Sequence, residues 1–330
     1  MVRAGVRALL TDSHFPDSSL EAEVLSEAGV ELRQAQCETE ADVIAAAEGA
    51  DALIVMHAPI TRAVFEARPE IRIVSRCGVG VDVVDLEAAA AHGVWVANVL
   101  DYGTREVATH AFAMALALVR GLPLYDAAIR SGRWHYSSPG PLLRPQHLGF
   151  GVLGLGRIGS EVARGARPWF DRVAGCDPYL DDSDWPEGVG RVELGELFAT
   201  SNVVSLHVPL TYETRHMVGR ELLAGMPGPA YLVNTARGAV VDVDAVLAAL
   251  EDGTLDGAGI DVLPAEPPPA DHPLLRHPRA LLSPHAGFYS EQAAADMRRG
   301  AAANVAAWAT EGRPVYVVVE GESGASSSSG

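Results

Sequence analysis

The stretch His147–Gly159, HLGFGVLGLGRIG, decides the fold of this 330-residue chain. It places a short apolar strand directly before a G-x-G-x-x-G turn, and a helix-forming segment follows from Ser160 to Ala166. Gly154 permits the tight turn, Gly156 lets the backbone approach a pyrophosphate, and Gly159 lets the helix pack closely on the strand. The helix N-terminus then offers N–H groups and a positive dipole end to the anion. The stretch therefore predicts a dinucleotide-binding unit.

A carboxylate follows this unit at the place where a ribose is bound. The apolar run Arg172–Cys176 ends at Asp177, 18 residues after Gly159. The Asp177 carboxylate can accept hydrogen bonds there from both ribose hydroxyls of an adenosine. Pro178 and Tyr179 follow, with no Arg or Lys to meet a 2′-phosphate, so the pattern favours NAD over NADP. The alternative is a glycine turn that binds no ligand. The complete strand–turn–helix–strand–Asp order argues against it.

Composition limits the other classes of function. The 25 basic and 43 acidic side chains give a net charge of −18, which argues against a nucleic-acid or anionic-membrane surface. No apolar run approaches the ~18–20 residues of a membrane span, and the three cysteines form no C-x-x-C pair, so we expect a cytoplasmic protein. The absence of lysine excludes Schiff-base, pyridoxal and P-loop lysines. A carboxylate-binding cation in this chain is therefore an arginine.

The order of strand and helix signals predicts an α/β fold with two doubly wound parallel-sheet domains and a cleft between them. Residues 1–100 and 286–320 would form a discontinuous, flavodoxin-like substrate domain, and residues 101–285 a Rossmann-type NAD-binding domain. The Ser/Gly-rich segment 321–330 is expected to be a disordered tail.

Individual elements follow from the apolar patterns. A long helix is expected from Thr104 to Arg120, followed by a Gly/Pro-rich loop over 131–146, and an alanine-rich helix, Glu291–Ala309, leads to a last strand, Pro314–Val319. Shorter helices are expected at Ser19–Ala28, Glu40–Glu48 and Asp85–His92. The other strands are expected at Val6–Thr11, Glu31–Gln34, Ala52–Met56, Ile71–Arg76, Val94–Ala97, Val203–His207, Tyr231–Asn234, Ala258–Val262 and Leu281–Ser283.

Three side chains in the second half follow strand ends, where open α/β sheets bind their ligands. They are Arg237, Glu266 and His285. An arginine can hold a carboxylate and polarise a carbonyl oxygen, a histidine can pass a proton, and a glutamate can orient the imidazole. Singly, they could equally be a surface charge, a loop acid and a helix cap. Together they are the parts needed to reduce a 2-oxo acid.

Residues 72–120 and 149–290 resemble the D-isomer-specific 2-hydroxyacid dehydrogenases. The chain is also similar to the branch of that family that contains the C-terminal-binding-protein corepressors, through residues 101–106 and 284–292. The sequence motifs that match the family are Gly78–Asp82 (GVGVD), Asp101–Thr104 (DYGT), Gly154–Gly159 (GLGRIG), Asn234–Gly238 (NTARG) and Pro284-His285.

The resemblance implies a dehydrogenase that transfers hydride between NADH and the carbonyl carbon of a 2-oxo acid. His285 would be the general acid/base, Glu266 its partner and Arg237 the carboxylate clamp. The resemblance also implies a homodimer through the cofactor domain, for which 131–146 is a candidate segment. The alternative is an NAD(H)-sensing, corepressor-like binding protein with weak dehydrogenase activity. Which 2-oxo acid is bound stays open.

The remaining implied contacts form two sets, and no residue is assigned to a metal. The implied cofactor contacts are Thr104, Gly154, Gly156, Arg157, Ile158, Gly159, Asp177, His207, Pro209, Thr235, Ala236 and Asp261, the last through the nicotinamide carboxamide. The implied substrate contacts are Met56, His57, Phe288 and, as a backbone cradle, Val79 and Gly80, together with Arg237.

Overall fold

The computed structural model describes residues 5–322, so most of the predicted tail, 321–330, lies outside the described residues. The chain divides into two compact units, with boundaries between Gly103 and Thr104 and between Tyr289 and Ser290. Each unit is built on one largely or wholly parallel sheet with helices between its strands. The predicted fold class, two doubly wound parallel-sheet α/β domains, is confirmed.

The first unit begins with five strands alternating with four helices. All four residues of its central strand Ala52–Val55 are apolar and buried, as expected for a strand covered on both faces. The elements are β1 (Arg7–Leu10), α1 (Ser19–Glu27), β2 (Glu31–Gln34), α2 (Glu40–Ala46), β3 (Ala52–Val55), α3 (Arg62–Ala67), β4 (Ile73–Arg76), α4 (Leu86–Ala91) and β5 (Trp95–Ala97).

The second unit carries the cofactor strand and seven strands in all within its described residues. Its sheet is parallel throughout and is covered on both faces by apolar clusters. The elements are α5 (Thr104–Val119), α6 (Leu122–Arg130), β6 (Gly149–Leu153), α7 (Arg157–Ala166), β7 (Arg172–Cys176), β8 (Gly190–Arg191), α8 (Leu194–Thr200), β9 (Val203–Leu206), α9 (Arg220–Ala224), β10 (Tyr231–Asn234), α10 (Val243–Asp252), β11 (Gly257–Ile260) and β12 (Ala280–Leu282).

The chain then returns to the first unit through α11 (Glu291–Glu311) and β13 (Val317–Val319). The Ser290 hydroxyl accepts the N–H of Ala293 at the start of α11, and Gly312, with a φ of 85°, ends the helix. The strand order is β13-β5-β4-β3-β1-β2 in the first unit and β12-β11-β10-β9-β6-β7-β8 in the second. Only β13 runs antiparallel to its neighbour among the described strands.

The helices differ from the sequence prediction in several places, and α3, α8, α9 and α10 were not predicted. The helix expected to reach Arg120 ends at Val119, and α6 follows it after Gly121, whose φ is 62°. Sequence analysis missed α6 because Pro123 reads as a helix breaker, although proline is tolerated in a first turn. Likewise, α7 begins at Arg157 rather than at Ser160 because Gly159, read as part of the turn, is helical.

Several strands end a residue or two earlier than predicted. Met56 was expected to close β3, but its N–H donates to the carboxylate of Asp12 at 3.1 Å, which ends the ladder there. The last strand was expected over Pro314–Val319 and covers only Val317–Val319.

The described helices are also informative about a membrane span. Between residues 5 and 322 no single helix is both long and apolar enough to span a membrane. Only α5 and α6 taken together, bent by 61°, meet that test by length and composition.

Candidate active site

The turn between β6 and α7 has no room for a side chain at two of its three glycines. Gly154 has a φ of 87°, and a Cβ there would lie 2.8 Å from the carbonyl of His207. A Cβ on Gly159 would lie 1.9 Å from the carbonyl oxygen of Gly154. At Gly156, the residue before α7, nothing lies within 4 Å of such a Cβ. The turn therefore leaves open space where the helix presents its first N–H groups.

Asp177 ties this turn to the end of β7. Its carboxylate accepts the N–H of Leu155 at 2.8 Å and the N–H of Tyr179 at 3.0 Å. A carboxylate has about four acceptor positions, so positions remain for ribose hydroxyls. The ring of Tyr179 is exposed, and its hydroxyl donates to Glu213 at 3.2 Å.

Two polar groups lie at the carboxyl ends of the central strands. The Thr235 hydroxyl, just after β10, is buried and has no hydrogen-bond partner among the described residues. After β9, His207 Nε2 lies 2.8 Å from the Ser205 hydroxyl, and burial lowers the pKa of His207 to about 3. The imidazole is therefore neutral at physiological pH.

The remaining predicted cofactor residues lie in the same unit. Ile158 is partly buried against the core, and the N–H of Ala236 donates to the Asn234 side chain at 3.0 Å. Thr104 begins α5, Arg157 begins α7 and Pro209 follows β9. The glycine turn, the Asp177 carboxylate and the orphaned Thr235 hydroxyl together fit a nicotinamide dinucleotide.

Arg237, Glu266 and His285 follow three neighbouring strands, β10, β11 and β12, at one edge of the sheet. Arg237 Nη1 donates to the carbonyl of Ala236 at 2.8 Å. A Cβ on Gly238 would lie 2.1 Å from the carbonyl carbon of Leu263, so glycine lets the arginine turn touch the loop that carries Glu266.

His285 and Glu266 form a direct pair. His285 Nδ1 lies 2.7 Å from Glu266 Oε2, and the other carboxylate oxygen accepts the N–H of Leu263 at 2.9 Å. Because a carboxylate can only accept, Nδ1 carries the hydrogen and Nε2 is left to exchange a proton with a ligand. Partial burial raises the pKa of Glu266, but the hydrogen bond and charge of His285 outweigh it and lower the pKa overall. Glu266 is thus ionised at neutral pH.

Asp261 lies beneath residues 285–287, here called the His285 loop. The side chain of Asp261 is 1% exposed and accepts the Ser283 hydroxyl at 2.5 Å and the N–H groups of Ala286 and Gly287, each at 2.9 Å. On the far side of Ser283, His110 Nε2 lies 2.8 Å from the same hydroxyl. Sequence analysis named Asp261 but missed Ser283 and His110, since neither belongs to a recognisable motif.

The other predicted substrate residues lie at strand ends of the first unit, apart from Phe288. Met56 is 6% exposed, and the N–H of His57 donates to Asp12 at 2.6 Å. Val79 is exposed, and its carbonyl accepts the Asn98 side chain at 2.8 Å; Gly80 follows it. Sequence analysis missed Asp12, a buried carboxylate after β1. In the second unit, the ring of Phe288 meets that of His285 edge-on at 6.5 Å.

Comparisons with known proteins show which family the chain resembles. A sequence model described as D-isomer specific 2-hydroxyacid dehydrogenase, NAD binding domain, matches residues 112–287. The chain is 39% identical over 271 residues to a glyoxylate reductase of Korarchaeum cryptofilum, covering 81% of this chain and 82% of that one. It is 36% identical over 294 residues to a D-3-phosphoglycerate dehydrogenase of Methanocaldococcus jannaschii, covering 87% of this chain and 54% of that protein.

A solved structure agrees with these relatives. The D-lactate dehydrogenase of Aquifex aeolicus, complexed with NAD and lactic acid, superposes with a TM-score of 0.84 at 27% identity, covering 93% of this chain and 98% of that one. The chain belongs to the D-isomer-specific 2-hydroxyacid dehydrogenase family. It is an NAD-dependent oxidoreductase that uses a nicotinamide dinucleotide as cofactor. The predicted family, enzyme class and cofactor are confirmed.

Proposed function

We propose that this enzyme reduces a 2-oxo acid to a D-2-hydroxy acid with NADH, using His285, Glu266 and Arg237. The observation that carries the proposal is the contact of 2.7 Å between His285 Nδ1 and Glu266 Oε2. These two residues and Arg237 follow the ends of three neighbouring strands. The glyoxylate reductase and the D-lactate dehydrogenase described above act on, or bind, small acids of this kind.

The residues have distinct tasks. The bound reduced dinucleotide supplies the hydride that the carbonyl carbon receives. Protonated His285 gives its Nε2 proton to the carbonyl oxygen, and Glu266 holds the ring through Nδ1 and stabilises its positive charge. Arg237 binds the substrate carboxylate through its planar fork and steadies the negative charge that develops on the oxygen. The backbone at Val79 and Gly80 is proposed as a second carboxylate cradle.

The proposed cofactor is NAD rather than NADP. The Asp177 carboxylate would repel a 2′-phosphate, and the residues that follow it, Pro178 and Tyr179, carry no positive charge. NADPH should therefore be a poorer cofactor than NADH by at least about tenfold in kcat/KM. We propose residues 101–285 as the NAD-binding domain, residues 1–100 and 286–320 as the substrate domain, and Asp261 as a contact of the nicotinamide carboxamide.

We also propose a cytoplasmic homodimer without nucleic-acid partners. Support for a dimer comes from α6 and the loop after it, where several large apolar side chains are exposed: Leu122, Ile129, Trp134, Tyr136 and Leu143. Trp134 alone is 85% exposed, which is unusual for a tryptophan outside an interface. Sedimentation equilibrium measures the association.

The test of the function is NADH oxidation against glyoxylate, pyruvate, hydroxypyruvate and branched, aromatic and phosphonate-bearing 2-oxo acids. His285→Ala should lower kcat by roughly 10²–10⁴-fold while NADH binding is retained. Wild-type turnover in that variant would remove His285 from the mechanism. Tight NADH binding by the wild type with negligible turnover on every acid would instead favour the corepressor-like sensor.

A further inference from the structure

The His285 loop is held by an arrangement that reaches well beyond the Glu266 pair. Asp261 alone bonds three consecutive N–H groups of this loop: its carbonyl accepts from His285 at 2.8 Å, and its carboxylate accepts from Ala286 and Gly287. The approach is so close that a Cβ on Gly287 would lie 2.9 Å from Asp261 Oδ2. Asp261 therefore fixes the backbone on which the imidazole stands.

The backbone of His285 needs such support. Its φ is 53°, in the left-handed region that non-glycine residues seldom occupy, at a free-energy cost of about 1–3 kcal/mol. A conformation of this kind persists only where the surroundings impose it. In this structure the conformation is imposed by three hydrogen bonds to Asp261, which come from the N–H groups of His285, Ala286 and Gly287.

The direction of each hydrogen bond follows from the chemistry of the groups. Asp261 Oδ1 can only accept, so the Ser283 hydroxyl donates to it. The Ser283 oxygen is then the acceptor for His110, whose Nε2 must carry a hydrogen. His110 Nε2 also lies 3.6 Å from the same carboxylate oxygen. A directed chain thus runs from α5 through Ser283 to the buried carboxylate.

We propose that His110 and Ser283 are positioning residues for His285, acting through Asp261. Ser283 satisfies the carboxylate oxygen that also holds Ala286, and His110 fixes the orientation of that hydroxyl. Neither residue exchanges a proton with the substrate. Without them, Asp261 turns toward other donors and the loop relaxes out of the left-handed conformation. The proposal rests on the proposed role of His285.

The test compares Ser283→Ala with Ser283→Thr, which keeps the hydroxyl, in the full-length enzyme. Ser283→Ala should lower kcat by about ten- to a hundredfold, since a hydrogen bond to a buried charge is lost, while the KM for the 2-oxo acid and the Kd of NADH change much less than kcat. Ser283→Thr should recover most of the rate. His110→Leu should resemble Ser283→Ala, and His110→Gln, which retains a donor, should be milder.

Amide hydrogen exchange gives a readout that is independent of activity. In Ser283→Ala without cofactor, the amides of Ala286 and Gly287 should exchange at least about tenfold faster than in wild type. Ser201→Ala is the matched control, because the hydroxyl of that buried serine of the same unit makes no hydrogen bond within the described residues. It should change neither kcat nor exchange in the His285 loop.

The outcomes separate the two proposals. If the wild type reduces a 2-oxo acid and His285→Ala does not, but Ser283→Ala keeps its rate and its amide protection, the positioning role is wrong and the function stands. An equal fall in NADH affinity and rate would show a cofactor contact instead of a positioning role. If the wild type turns over none of the acids, the proposed function fails, and the exchange experiment still decides whether the network holds the loop.

Discussion

Replacing His207 with glutamine should make the protein less sensitive to acid. Burial lowers the pKa of His207 from its ordinary 6.5 to about 3, so below pH 6.5 the unfolded chain takes up a proton that the folded chain cannot. The free energy of unfolding then falls by about 1.4 kcal/mol for each pH unit. Between pH 8 and pH 5 His207 therefore costs about 2 kcal/mol, and His207→Gln should abolish that loss.

Urea unfolding at pH 8 and at pH 5 measures the effect. Glutamine can keep the contact with Ser205, so the two proteins should be similar at pH 8, and the variant should be about 2 kcal/mol more stable than wild type at pH 5. His147→Gln, at an exposed histidine of the same unit, is the matched control and should leave the pH dependence unchanged. Equal pH dependence in wild type and His207→Gln would refute the assignment of a buried neutral imidazole.

Two further substitutions test the proposed site. Arg237→Lys should lower kcat/KM for the 2-oxo acid by roughly tenfold or more, because a point charge cannot reproduce the bidentate fork; steady-state kinetics checks this, and unchanged constants would remove Arg237 from carboxylate binding. Glu266→Gln should move the alkaline limit of the reduction to lower pH, because protonated His285 loses its anionic partner, whose own lowered pKa keeps it charged at neutral pH. A limit that does not move in the pH profile of kcat would leave Glu266 as a loop acid only.

The sequence was sufficient wherever a local pattern has one physical solution. The strands Arg172–Cys176 and Tyr231–Asn234 were predicted with their bounds because apolar runs and glycines punctuate them. The Gly154–Gly159 turn was predicted in place, although Arg157, Ile158 and Gly159 belong to α7. The pairing of His285 with Glu266 followed from strand order together with the family resemblance.

Long-range polar contacts could not be predicted in the same way. Asp12 and Met56 are 44 residues apart, and His110 and Ser283 are 173 residues apart, so no spacing pattern in the sequence predicts their hydrogen bonds. The helix α6 was missed for another reason: proline breaks a helix in its interior but is tolerated in its first turn, where Pro123 lies.

The close approach at Gly238 has a mechanical consequence. With no side chain between them, the turn that carries Arg237 and the loop that carries Glu266 rest backbone against backbone. A displacement of one segment is therefore passed directly to the other, so we expect the proposed carboxylate-binding arginine and the proposed proton-transferring pair to move together. We therefore expect substrate specificity to change through residues around these two segments rather than through the spacing between Arg237 and Glu266.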